Sequence, residues 1–172
     1  MAHGIPTAGQ IREIAPSLAA TVTAREIDDN GHMNVLHYLD HSSRGADILV
    51  RSVGIDEGYR RDRKLGLFTT EHHLTYYSEL LEGDPFTVHV RVLDRSDKAV
   101  HLICFLVDRL RDKLSNTLEI MLVHVDLERR RASPMPSDIM AAIDHHIAVS
   151  GALSWAAPTC GSLRIRRHRR DD

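Results

Sequence analysis

Two hydrophobic rhythms divide this chain. Residues 1–17 carry little pattern, after which Leu18 to Ile27 (LAATVTAREI), with β-branched Val22 and Thr23, reads as a strand. Asp28-Asp29-Asn30-Gly31 interrupts it with turn chemistry. From Asn34 the pattern turns helical. Val35, Leu39, Ser42, Ala46, Leu49 and Val53 recur alternately four and three residues apart, predicting one stripe down a helix of about five turns. Asn34 is a natural N-cap and Gly54 a natural stop. Small residues at the middle of the stripe (Ser42, Gly45, Ala46) would let the helix lie close against a sheet. Residues 55–63 (IDEGYRRDR) are polar and predict a short second helix.

From Leu65 the rhythm is that of strands for about sixty residues. The runs are LGLFTTEHHLTYYSEL, PFTVHVRVLD, AVHLICFLVDRL and TLEIMLVHVDL, separated by short polar breaks that favour hairpins over crossovers. Phe86, Val88, Val90 and Val92 alternate with Thr87, His89 and Arg91, predicting one buried and one wet face. Stretches 99–107 and 118–125 are apolar on both faces, as central strands covered on both sides would be. After Pro134 and Pro136, Ser137 can cap a helix running to about Val149. Strand, long helix, then four strands implies an α+β layer arrangement with the helix on one face of the sheet.

Composition narrows the class. A chain of 172 residues with 42% hydrophobic and 27% charged residues is one domain with a sizeable core. The expected division is an N-terminal extension (1–17), the domain (18–149) and a basic, disordered tail (150–172). The formal net charge of −2 argues against nucleic acid as a partner, although the end of the chain, RIRRHRRDD, is locally basic. With Cys104 and Cys160 alone there is no disulfide framework, and Cys104 reads as a small buried hydrophobe. Neither a signal peptide nor an apolar run of membrane-spanning length is present, so the expectation is a cytoplasmic protein with no membrane partner.

The informative chemistry lies where the first strand meets the long helix, in DDNGHMNVLHYL. A helix start offers unpaired N–H groups and a positive dipole end, suited to a developing negative oxygen. Carboxylates immediately before it complete the minimum equipment for hydrolysing an acyl group. Gly31 lets a ligand approach the backbone closely. Asp28 and Asp29 read equally well as turn residues, and Asn34 as a plain cap. His32, beside a carboxylate, suits acid–base or orienting work. His37 and His41 sit at a chelating spacing, but no H-E-x-x-H pattern accompanies them, so no metal and no cofactor are implied.

This segment resembles the D-x-x-G-H-x-N-x-x-x-Y signature of hotdog-fold thioesterases of the 4-hydroxybenzoyl-CoA thioesterase type. A second signature, Thr70-Glu71-x-x-Leu74-x-Tyr76-x-x-Glu79-x-x-x-Gly83-Asp84, follows on the next strand and turn. The resemblance covers roughly residues 18–140. It implies a curved antiparallel sheet wrapped around one long helix, with a homodimer or dimer of dimers as the working unit. GHMN, LFTTEHHLTY and LEIMLVHVDLERRRASPMP are most similar to the betainyl-CoA thioesterases of carnitine breakdown, including domains fused to carnitine dehydrogenase. The implied activity is hydrolysis of a short-chain acyl-CoA, with betainyl-CoA as first candidate. The implied catalytic carboxylate is Asp28, and the implied oxyanion donor is a backbone N–H near Asn34 or Val35. Some members place an essential Glu elsewhere, which keeps Glu71 as a second candidate.

Glu71 and His73 stand two apart on a strand, so both face one side together with Thr69, Thr75 and Tyr77. The resemblance favours that side as the acyl pocket. A trimethylammonium group has no N–H donors and is held by aromatic faces and carboxylates. Tyr38, Phe68, Tyr76 and Tyr77 are candidates for that role, and only one of Tyr76 and Tyr77 can face the ligand. The run Arg129-Arg130-Arg131 could clasp coenzyme A phosphates or simply guard a strand edge. Rival readings of the same fold are a hydratase or dehydratase and a non-catalytic acyl-binding module.

Overall fold

The strand-forming runs pair into one antiparallel sheet in the order β1-β3-β4-β5-β2. The strands are β1 (Pro16–Thr21), β2 (Leu65–Tyr76), β3 (Pro85–Arg95), β4 (Ala99–Asp108) and β5 (Lys113–Asp126), and a short β6 (Arg131–Ala132) pairs with the end of β5. The structure is a computed structural model in which residues 4–165 are described. β4 and β5, apolar on both faces in sequence, occupy the centre of the sheet, and β2 forms a long edge strand.

The predicted long helix is α2 (Val35–Ser52), and Asn34 caps it by accepting the Leu36 N–H on Oδ1 at 3.0 Å. Its buried face differs from the predicted stripe. Tyr38, His41, Ser42, Gly45, Ala46 and Val50 point inward, whereas Val35 is 51% exposed. Tyr38 and His41 bury large rings because each polar end has a partner, Tyr38 at the Leu80 N–H and His41 at Glu26. Gly45 serves close approach: a Cβ there would stand 2.6 Å from Val88 Cγ1 on β3. Helix α3 (Glu57–Arg63) follows as expected, and α4 (Ser137–Gly151) sets Ile139 and Ile143 into the helix-side core. A curved antiparallel sheet around one long helix is the hotdog arrangement.

The opposite face of the sheet is not wet. A second apolar cluster lies there: Ile103, Phe105 and Val107 of β4 pack with Ala8 and Ile11 of a one-turn helix α1 (Ala8–Ile11) and with Trp155. Thr87 and His89, predicted to face solvent, are buried beneath it. His89 bonds Thr87 Oγ1 through Nε2 at 2.9 Å and donates from Nδ1 to the Ile14 carbonyl at 2.6 Å. Arg91 donates to the Ser150 hydroxyl and to the carbonyls of Ser150 and Trp155, with its guanidinium 4.6 Å over the Trp155 ring. The expectation of a disordered tail from residue 150 is therefore corrected as far as residue 165, since Trp155 and Leu163 are buried. Residues 166–172, with most of the arginine run, lie outside the described residues. Also on this face, His101 and Glu119 form a buried pair at 2.7 Å, and Glu119 accepts the Cys160 N–H. Cys104, on the helix side, is fully buried as expected, and burial pushes its thiol pKa up.

Gly45→Ala tests the helix–sheet contact. Alanine is the better helix former by about 1 kcal/mol, but Val88 is stiff at χ1 and cannot retreat. The expected outcome is a net destabilisation of about 1–3 kcal/mol in urea unfolding.

Candidate active site

The segment before α2 is closed on itself. The Asp28 N–H donates to the His32 carbonyl at 3.0 Å, Ile27 bridges Met33, and the Gly31 N–H returns to the Asp28 carbonyl at 2.9 Å. Gly31 has φ +83°, a conformation that glycine adopts without strain. Asp28 does the work of a turn residue with one oxygen only: Oδ1 accepts the Asn30 N–H at 2.9 Å. Its Oδ2 has no hydrogen-bond partner among the described residues, and the side chain is 18% exposed. His32 stands beside it, Nδ1 3.8 Å from Asp28 Oδ1. The same nitrogen lies 3.2 Å from the Met33 carbonyl, which only a protonated Nδ1 can bond, so the neutral ring presents Nε2 as its acceptor.

Two backbone bonds fix the helix start. The Met33 N–H donates to the Leu80 carbonyl and the Asn34 N–H to the Glu26 carbonyl, each at 2.8 Å. The next N–H, that of Val35, has no acceptor among the described residues and sits at the positive end of an 18-residue helix.

Beside it opens a cleft of about 370 Å³. His32, Met33, Val35 and Tyr38 form one wall, and Tyr76, Tyr77, Ser78 and Glu79 the other. The Tyr38 hydroxyl accepts the Leu80 N–H at 2.9 Å, and its ring meets Tyr76 edge-on, centroids 5.4 Å apart. Burial raises the Tyr38 phenol to about 12 against the opposing effect of the Leu80 bond, with the charge of Glu79 adding to the rise. Asp28 is not in the cleft wall and adjoins it through His32.

Other expected pocket residues are elsewhere. The β2–β5 register slips between Thr69 and Glu71, and one extra residue in a strand reverses which side chains face the helix. Thr69 and His72 therefore line a second, smaller cavity against α2, whereas Glu71 borders a cavity with Met121 and Arg164 on the opposite face. His73 lies on that face too, paired in register with Glu119. Phe68 is exposed there with the Arg130 guanidinium 4.9 Å over its ring. The Tyr77 ring packs with the outer cluster and its hydroxyl lies 3.4 Å from Thr117 Oγ1, so of the two adjacent tyrosines it is Tyr76 whose ring meets Tyr38.

Sequence reasoning missed Glu26. Its Oε1 is 2.6 Å from His41 Nε2 and 3.9 Å from His37 Nδ1, and its Oε2 accepts the Thr23 N–H at 2.7 Å and lies 3.0 Å from the Thr23 hydroxyl. Burial would raise this carboxyl, but the bonds from Thr23 and His41 outweigh it and hold the pKa below the ordinary value. His41, four residues from His37, is spent on this contact, and its Nδ1 is buried with no partner among the described residues. The Thr-x-x-Glu spacing of a helix-capping box was the available signal. Asp84 closes the far side of the same region. Burial would raise it too, but Arg111, which also binds Asp108, and the Leu81 N–H hold it low.

Comparison with known proteins places this geometry in a family. The sequence profile of the thioesterase-like superfamily matches residues 22–143. The chain is similar to the L-carnitine dehydrogenase/betainyl-CoA thioesterase of Agrobacterium fabrum, 32% identical over 126 residues, which are 73% of this chain and 26% of that protein. It thus spans about a quarter of the fused relative. A betainyl-CoA thioesterase of Pseudomonas aeruginosa is 30% identical over 118 residues, covering 69% of this chain and 74% of its own length. Among solved structures, a hypothetical protein from Staphylococcus aureus in complex with CoA superposes with a TM-score of 0.77 at 29% identity, covering 87% of this chain and 93% of that one.

Two measurements check the frame of the site. Tyr38→Phe leaves the buried Leu80 N–H unpaired and should cost about 1–3 kcal/mol in urea unfolding. Glu26, with its native pKa lowered from 4.5, stabilises the fold above that value and loses the contribution as pH falls through its native pKa. The stability gap between wild type and Glu26→Gln should therefore be full above the unfolded value of 4.5 and narrow as the pH falls below it.

Proposed function

We propose that this chain, which belongs to the thioesterase-like superfamily, hydrolyses a short-chain acyl-CoA to the free acid and coenzyme A. The observation that carries the reading is Asp28: a carboxylate with one oxygen engaged in the turn and the other open, directly before a helix whose first N–H has no acceptor. With the thioester carbonyl at the helix start, the Val35 N–H would bind the oxygen that becomes negative in the tetrahedral intermediate. Asp28 either takes a proton from the attacking water, whereupon the tetrahedral intermediate expels the coenzyme A thiolate, or itself attacks the carbonyl and expels the thiolate to form a mixed anhydride that water then hydrolyses to the free acid and regenerated Asp28. His32 would steady the carboxylate and the incoming water, Asn34 would hold the helix start, and Gly31 would keep the approach open. Glu71 is assigned no role at this site, because it borders a different cavity.

Betainyl-CoA is the first substrate to test, supported by the similarity to two curated proteins that carry that name. We further infer a homodimer or a dimer of dimers. The support is β2, a twelve-residue edge strand whose outer rim has no neighbour among the described residues, with Phe68 and Tyr76 exposed along it. A cytoplasmic location accords with the lack, among the described residues, of a helix long and apolar enough to cross a membrane.

Thiol release from a panel of acyl-CoAs, betainyl-CoA included, tests the activity. Asp28→Asn should keep the wild-type unfolding curve and lose at least about a hundredfold in kcat, the lower range for removing acid–base catalysis. Near-wild-type turnover by the folded variant would overturn the role given to Asp28. Sedimentation at micromolar concentration should show no active monomer; a fully active monomer would contradict the assembly.

A further inference from the structure

We infer that Glu79, together with the rings of Tyr38 and Tyr76, forms a receptor for a cationic acyl end without N–H donors, and that Glu79 sets the preference for such an end over a neutral group of the same shape. The inference rests on the thioesterase reading above and assigns its acyl specificity to a carboxylate that neither the fold nor the chemistry otherwise uses.

Among the described residues Glu79 is the only acidic residue in the cleft wall, and the only other side chain there that can carry charge near neutral pH is the ring of His32. Its neighbours in the fold are engaged: Glu26 with His41 and Thr23, Asp84 and Asp108 with Arg111. Glu79 makes no hydrogen bond or ion pair among the described residues, so its charge remains available to a ligand. That charge reaches the Tyr38 phenol, whose pKa it helps to raise.

The carboxylate is also well placed. The following residue, Leu80, is fully buried and doubly tied, its N–H to the Tyr38 hydroxyl and its carbonyl to the Met33 N–H. The backbone at Glu79 is thereby held between the end of β2 and the start of α2, and its exposed side chain stands in the cleft wall. Tyr38 is held by the same bond, and Tyr76, at an interplanar angle of 84° to it, is 46% exposed.

A quaternary ammonium group suits this combination. Its charge is spread over methyl groups that cannot donate hydrogen bonds, so it gains from aromatic faces and a nearby carboxylate. Met33 and Val35 supply apolar contact for the methyls. An acyl chain ending in a carboxylate would meet Glu79 as a like charge.

The test compares betainyl-CoA with 3,3-dimethylbutyryl-CoA, in which carbon replaces the quaternary nitrogen at nearly constant shape. The readout is the ratio of kcat/KM values in wild type, Glu79→Gln, Tyr76→Leu and Tyr76→Phe, with unfolding curves to verify each fold. Wild type should favour the cation, and Glu79→Gln should lower the ratio by about tenfold. Tyr76→Leu should lower it as well, while Tyr76→Phe, which keeps the ring face, should retain it. A wild-type preference that Glu79→Gln leaves intact would overturn the inference and leave the thioesterase reading standing. Hydrolysis of the neutral ester with no preference for the cation would remove the receptor altogether. Hydrolysis of neither ester, nor of any other acyl-CoA, would overturn the thioesterase reading itself.

Discussion

The site depends on two backbone hydrogen bonds. The Met33 N–H to the Leu80 carbonyl and the Asn34 N–H to the Glu26 carbonyl clamp the first residues of α2 between the segment that enters the helix and the segment that leaves β2. With them, residues that come from distant parts of the chain share one frame. The side chains that reinforce the clamp are buried or half-buried: Tyr38 holds the Leu80 side of it, and Glu26, gripped by Thr23 and His41, holds the other. A preorganised donor gains its catalytic value from needing no rearrangement when charge develops, and in the proposed reaction this double clamp would hold the Val35 N–H in place.

Much of the architecture was legible in the sequence because it follows from periodicity. The helix boundaries, the Asn34 cap, the short α3 and the two both-face-apolar central strands all emerged as read. What periodicity could not show is where it is interrupted. The single extra residue at Thr70 moved Glu71 and His73 to the opposite face, and alternation alone contains no sign of it. Nor could alternation reveal that the polar positions of β3 are covered, because the cover comes from the chain's two ends, segments with little pattern of their own. The inward turn of Tyr38 and His41 escaped for a related reason. Both count as polar until the partner that satisfies them is known.

The same contrast separates the carboxylates. Glu26, Asp84, Asp108 and Glu119 are each matched by a cation, a histidine or a backbone N–H, and each serves the frame. Among the described residues Asp28 is matched at one oxygen, and Glu79 at neither. Sequence alone singled out Asp28 through its neighbours, and the geometry adds that the turn it makes leaves it half available. Position in a motif and freedom from partners are independent kinds of information, and they coincide at Asp28 and again at Glu79, a member of the second signature.

The two ends of the chain seal the outer face through side-chain contacts and isolated bonds: His89 to Ile14, Arg91 to Ser150 and Trp155, Glu119 to Cys160. None of these belongs to the ladder that joins β3, β4 and β5. Lifting the seal would therefore break no hydrogen bond of that ladder. Amide protons of residues 152–165 would exchange with solvent through shallow local openings, whereas those at the centre of β4 would wait for the whole domain to come apart. An opening of the first kind leaves the clamp at the start of α2 undisturbed, since that clamp is built entirely on the other side of the sheet.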